Sequence, residues 1–298
     1  MLDGVPMKHL VLGATGQLAH DLLQVFREHY PLDEVIAATH QDIEISSESA
    51  VRDLISHIRP ETVINTAAYN RVDDCEINPG VAFAVNSAAP IFLARASEGI
   101  GATLVQFSSD YVFDGKRHTP YTETDLANPI SVYGISRLAG ETAALQYCSK
   151  ALVVRTCGLY GVAGQHSTLG NFVETMLRLA RSGKPLSVVN DQVVTPTSTR
   201  ELAERLVPLI RERACGLFHM TNTSSCTWYE FAKEIFRLSR LQVIVDPITS
   251  EQFGARARRP SFSVLDNSAL RERGYPDFEP WQQALERFLS QRGDLCPL

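Results

Sequence analysis

The chain has 298 residues, 44% of them hydrophobic and 21% charged, and 28 Lys and Arg against 34 Asp and Glu leave a formal net charge of −6. This composition excludes a disordered, collagen-like or coiled-coil chain, and the length is enough to bury a core without staples. The mild acidity gives no global attraction for nucleic acid or an anionic membrane, although a local basic pocket can still hold a phosphate.

The first half alternates strand and helix. Residues 9–12 (HLVL) read as a short strand that stops at Gly13. Residues 17–30 have helical spacing, with Leu18, Leu22, Val25 and Phe26 on one face. Further strands are expected at 34–38, 62–65, 103–107 and 151–155. Helices are expected at 48–58, at 81–99 with Pro90 inside, and at 133–147. Short apolar strands separated by helices indicate an α/β fold with a doubly wound parallel sheet covered on both faces. The second half is less regular. It suggests helices at 172–182, 199–213, 227–240 and 281–291 and strands at 186–189 and 217–220. The expected division is a first unit at 1–160 and a smaller C-terminal α/β lobe at 161–298, with about 186–214 returning to the first unit.

The six cysteines (Cys75, Cys148, Cys157, Cys215, Cys226 and Cys296) contain no C-x-x-C pair and match no zinc spacing, so they read as scattered reduced thiols and no metal is expected. The N-terminus lacks a basic, then apolar, secretory pattern, and Met7 is a candidate start. No run reaches the ~18 apolar residues of a membrane span. A soluble cytoplasmic protein is expected.

Three motifs carry chemistry. Gly13-Ala14-Thr15-Gly16-Gln17-Leu18-Ala19 follows a strand and opens a helix. Gly13 permits the tight turn, Gly16 lets the backbone approach a pyrophosphate, and the helix N-terminus offers free N–H groups. In the first strand-helix unit this pattern points to a dinucleotide. After the second strand stands Thr39-His40-Gln41, with no acid for a ribose 2′-hydroxyl, which favours NADPH and leaves NADH as the alternative. Ser108-Ser109-Asp110-Tyr111-Val112-Phe113 ends the fourth strand, and Tyr133-Gly134-Ile135-Ser136-Arg137 opens a helix. Tyr133 and Arg137 share a helix face. Ser109 and Tyr133 can converge in the crevice at the carboxyl ends of the strands, where two hydroxyls can polarise and protonate a carbonyl while hydride arrives.

Together with Asn65-Thr66-Ala67-Ala68, SSDYVFDG, YGISRLAGE, RTCGLYG, GNFVETMLRLA, NDQVVTPT, TWYEFAKEIF and RRPSFSVLD, in that order, these motifs span essentially the whole chain. The chain resembles the extended short-chain dehydrogenase/reductases and, within them, the dTDP-4-dehydrorhamnose reductase family. The resemblance implies a Rossmann sheet with a substrate-binding lobe, and NADPH-dependent reduction of the C4 ketone of dTDP-4-dehydro-L-rhamnose to dTDP-L-rhamnose. It implies that Gly13, Gly16, Gln17 and Leu18 line the pyrophosphate and that Asp42 and Ile43 flank the adenine. Ala67, Ala68 and Tyr69 then lie beneath the cofactor, with Thr15 and Phe107 as further contacts. Ser109 stands for the catalytic Ser/Thr and Tyr133 for the general acid. Asp110, Gly158 and Arg259 fall to the substrate. A dTDP-sugar is the implied partner, and a homodimer is left open.

Two positions depart from the family. Arg137 stands where the family usually has Lys. One positive charge at ~4 Å and an effective dielectric of ~20 supplies roughly 4 kcal/mol, so Arg can supply the charge beside the tyrosine. Its pKa above ~12 denies it a neutral form, so a lysine-type proton relay is impaired and turnover should be reduced but not lost. Gly158 stands where the family often has Trp, which implies a wider sugar pocket. Two alternatives therefore stay open: a reductase of another nucleotide sugar, and an NADP-binding regulatory protein like the beta subunit of methionine adenosyltransferase, which resembles the same family.

Overall fold

The computed structural model describes residues 5–166 and 170–293. Five strands of the main sheet come from the first half: β1 (Lys8–Leu12), β2 (Glu34–Ala38), β3 (Thr62–Asn65), β4 (Thr103–Ser109) and β5 (Ala151–Thr156). The sixth, Gly216–His219, comes from the second half and pairs with β5. All six are parallel, in the order Gly216–His219, β5, β4, β3, β1, β2.

Successive side chains leave a strand on opposite faces. Val11, Ile64, Val105 and Leu152 accordingly pack with the apolar face of α1 (Gln17–His29) and with Leu202, Leu206 and Ile210 of a later helix, Thr199–Arg211. Leu10, Leu12, Val63 and Leu104 pack on the other side with α2 (Glu48–Ile58) and helices described below. Because β2 and β3 flank β1, the chain reverses direction across β1. Its carboxyl end is therefore the topological switch point where an open α/β sheet holds its ligand.

Two readings of the first half change. The acidic run of Asp73, Asp74 and Glu76 after β3 reads, from the sequence alone, as a solvated turn. It lies instead in a short helix, α3 (Val72–Ile77), because Asp73 pairs with Arg259 at 2.8 Å and Glu76 accepts the backbone N–H of Val132 at 2.9 Å. The single helix expected at 81–99 is instead α4 (Pro79–Phe83), a wider π turn at Ala84–Ala88, and α5 (Ala89–Ile100). Pro90 has no N–H for the carbonyl of Asn86 and its ring crowds that carbonyl. The displaced Asn86 carbonyl rests against Gly140 of α6 (Val132–Tyr147), where a Cβ would stand 2.0 Å from it.

A second core gathers Tyr160, α7 (Phe172–Ala180), α9 (Trp228–Leu238) and the closing helix Trp281–Arg292. Leu186 and Val188 belong to it, whereas α8 (Thr199–Arg211) and the Gly216–His219 strand belong to the first core. Among the described residues no helix is long and apolar enough to cross a membrane. Cys296 lies outside the described residues, and the other five cysteines are free thiols.

Candidate active site

The glycine loop sits at the switch point. Gly13 has φ +78°, and a Cβ there would stand 2.8 Å from the backbone N of Ala67 and 2.9 Å from Oγ1 of Thr66. The loops after β1 and β3 thus meet without room for a side chain. Replacing Gly13 with Ala is expected to weaken NADPH binding about tenfold and lower the unfolding midpoint by a few degrees, since it adds left-handed strain and a backbone clash; a fluorescence titration and a melt check it. The N-cap of α1 is Gly16, which has no side chain to cap the first N–H groups, so these remain available to an anion. Gln17 crosses the cleft: its amide donates to the Leu159 carbonyl at 3.0 Å and accepts from Asn171 at 3.1 Å.

At the end of β2 the nearest acid is folded back on the chain. Asp42 accepts from the backbone N–H of Thr39 at 2.8 Å and from its hydroxyl at 2.7 Å. These two bonds hold the Asp42 carboxyl below the ordinary aspartate range. Ile43 is buried and His40 exposed. After β3, the backbone of Tyr69 is held in both directions by Asn86, which accepts from its N–H at 2.8 Å and donates to its carbonyl at 2.9 Å. The π turn therefore has a structural consequence: it aims Asn86 at the loop beneath the switch point.

A cavity of about 380 Å³ opens between the two cores. Gly16, Gln17, Leu18 and Ala68 line one part of it, and Phe107, Ser109, Asp110, Tyr133, Arg137 and Gly158 line another. Ser109 and Tyr133 are thus brought together, and they arrive from different elements. Ser109 ends β4; its hydroxyl donates to Asp110 at 2.9 Å and accepts from the backbone N–H of Tyr111 at 3.1 Å. Tyr133 lies in the first turn of α6, whose N-cap Ser131 accepts from the N–H of Gly134 at 3.2 Å. Ser131→Ala removes that cap and is expected to destabilise the protein by about 1 kcal/mol, with a lower thermal midpoint as the readout.

Burial pushes the Tyr133 hydroxyl above the ordinary tyrosine range, while the Arg137 charge and the Ser109 hydroxyl pull it back. The guanidinium carbon of Arg137 lies 6.0 Å from the centre of the Tyr133 ring. Arg137 is only 5% exposed, donates to the Phe107 carbonyl at 2.6 Å, and leaves its buried Nε without a partner. An orphaned donor on a buried cation fits a site built for a polar ligand. With the uncapped helix terminus and the glycine cradle, the residues present suit a nicotinamide dinucleotide.

Asp110 lines the cavity, but its carboxyl is already engaged. Besides Ser109 it accepts from Ser263 at 2.6 Å and from the Cys157 thiol at 3.1 Å. Burial pushes its pKa up, and these three donors oppose the shift. Arg259 is not among the residues lining the cavity; its guanidinium holds Asp73 at 2.8 Å. Nor do Gly13, Thr15, Asp42, Ile43, Ala67 and Tyr69 line it; they form the switch-point loops beside it. Gly158 was expected to leave the wall open, but the indole of Trp228 stands there. Sequence reasoning also missed Asn70, Thr156, Cys157 and Asn171. Asn171 had a legible signal, being the N-cap of a helix with Glu three residues on.

The family model of the RmlD substrate binding domain matches residues 7–293. The spore coat polysaccharide biosynthesis protein SpsK of Bacillus subtilis is 37% identical over 289 residues, covering 97% of this chain and 99% of that protein. A dTDP-4-dehydrorhamnose reductase from Clostridium acetobutylicum superposes with a TM-score of 0.92 at 39% identity, over 96% of this chain and 100% of that one. A dTDP-4-dehydrorhamnose reductase from Bacillus anthracis, solved in complex with NADP, superposes with a TM-score of 0.91 at 36% identity, over 96% and 100%.

Proposed function

Since the chain belongs to the RmlD family, that of the dTDP-4-dehydrorhamnose reductases, we propose that it reduces the C4 ketone of dTDP-4-dehydro-L-rhamnose to dTDP-L-rhamnose with NADPH. The reading rests above all on one observation: a Tyr, a Ser and a buried cation share a cavity with the glycine loop and the uncapped start of α1.

NADPH, when bound, supplies the hydride that C4 accepts. The N–H groups at the start of α1 would hold the phosphates, and Arg137 would offer its orphaned Nε to the ribose beside the nicotinamide. Ser109 hydrogen-bonds the ketone oxygen. Tyr133 donates its proton to that oxygen as negative charge develops, and the resulting phenolate is held by Arg137 until water returns a proton. Arg137 stays charged throughout, so it stabilises but does not relay. The preference for NADPH is supported by the segment after β2, which offers Thr39, His40 and Gln41 and turns its one nearby acid, Asp42, back onto Thr39. The reading carries with it a cytoplasmic place in polysaccharide precursor synthesis.

The test follows absorbance at the NADPH band with purified protein and enzymatically generated dTDP-4-dehydro-L-rhamnose. Loss of absorbance that needs both the sugar and Tyr133 is the expected result. NADPH binding in a separate titration, with no sugar-dependent loss, would overturn the reading in favour of another nucleotide sugar or a regulatory role.

A further inference from the structure

Gly158 and Trp228 meet at the cavity wall. Gly158 follows β5 with φ +53°, a region that suits glycine. A Cβ there would stand 3.1 Å from Cη2 of Trp228 and 3.3 Å from Cα of Pro196. The missing side chain is what allows the indole to close onto the strand end.

Trp228 is well anchored. It is the first residue of α9, behind a capping box in which Thr227 and Glu230 bond each other's backbone N–H. The Thr227 hydroxyl also donates to Asn190 at 2.9 Å. Phe172 of α7 packs on the indole with ring centres 4.6 Å apart. The indole is half-buried and lines the cavity.

Its position along the cavity follows from its neighbours. Cys157, next to Gly158, donates to Asp110, and Asp110 accepts from Ser109. The indole therefore borders the reacting end of the site. We propose that Trp228 is a specificity-determining residue, the wall on which the apolar face of the 6-deoxy sugar ring packs. This rests on the reductase reading above. A sugar's C–H face and methyl group match an aromatic surface, whereas a phosphate does not.

Trp228→Ala is expected to raise KM for dTDP-4-dehydro-L-rhamnose about tenfold, with kcat within about threefold and NADPH affinity unchanged. Gly158→Ala, which sets a methyl against the indole, should raise the same KM and serves as a second variant if Trp228→Ala folds poorly. A binding measurement needs no turnover. Trp228 and Trp281 are the two tryptophans, and Trp281 is 5% exposed. dTDP-L-rhamnose should quench indole emission in the parent and not in Trp228→Phe, while dTDP alone leaves it unchanged. An unchanged KM in both alanine variants, or equal quenching by dTDP alone, would overturn the assignment. Quenching by the sugar nucleotide without ketone reduction would instead sink the reductase reading and leave the wall standing.

Discussion

Tyr133→Phe is expected to lower kcat for ketone reduction about a thousandfold while leaving NADPH affinity within about twofold. The substitution removes one hydroxyl and keeps the ring that meets Tyr111 edge-on at 5.6 Å between centres, so the first turn of α6 keeps its packing. Without the hydroxyl no positioned acid meets the developing alkoxide, and Ser109 cannot take over, because an aliphatic hydroxyl can turn from Asp110 to hydrogen-bond the oxygen but is far too weak an acid to protonate it as a phenol does. Single-turnover absorbance with NADPH prebound separates chemistry from binding. A kcat within about tenfold of the parent would remove Tyr133 from the role of acid.

Arg137→Met should lower kcat/KM for the ketosugar about a hundredfold and weaken NADPH binding as well. It also carries a pH signature. Burial pushes Tyr133 up and Arg137 pulls it down, so removing the cation raises the tyrosine further. Reduction uses the protonated phenol, which is lost as pH rises through its pKa; the alkaline limb of reduction therefore moves to higher pH. Oxidation of the sugar alcohol uses the phenolate, so its rising limb moves the same way. Measuring both directions across the alkaline range checks the sign, and a limb that moves to lower pH would refute the assignment. Arg137→Lys tests the relay separately: turnover should rise severalfold if a neutral amine matters, and unchanged turnover would show that Arg suffices.

The parts of the molecule legible in the sequence were those set by local periodicity. β1, Gly13 and α1 announce themselves because a buried strand, a left-handed glycine and an amphipathic helix follow one another in a dozen residues. Tyr133 and Ser109 were legible as motifs, since each lies at the end of an element whose type fixes where it points. Trp228 was not legible as part of the cavity: its spacing suits a core helix equally well, and only the contact with Gly158, seventy positions away in the chain, gives it another role. The π turn escaped for a related reason. Pro90 signals a break, but whether the helix ends or widens depends on Gly140 receiving the displaced Asn86 carbonyl. The acidic run at 73–76 read as solvated because its partners, Arg259 and the N–H of Val132, are distant in sequence.

The strand order has a consequence for the chain as it leaves the ribosome. β5 is made with its neighbour β4, but its other edge is closed by Gly216–His219, a segment synthesised only after α7 and α8. Until then the nascent sheet ends in an unpaired apolar strand, Ala151–Thr156, able to pair with another chain. Productive folding of the first core must wait for the second half to emerge, so a pause or premature stop before residue 219 leaves an aggregation-prone fragment rather than an independent half-protein.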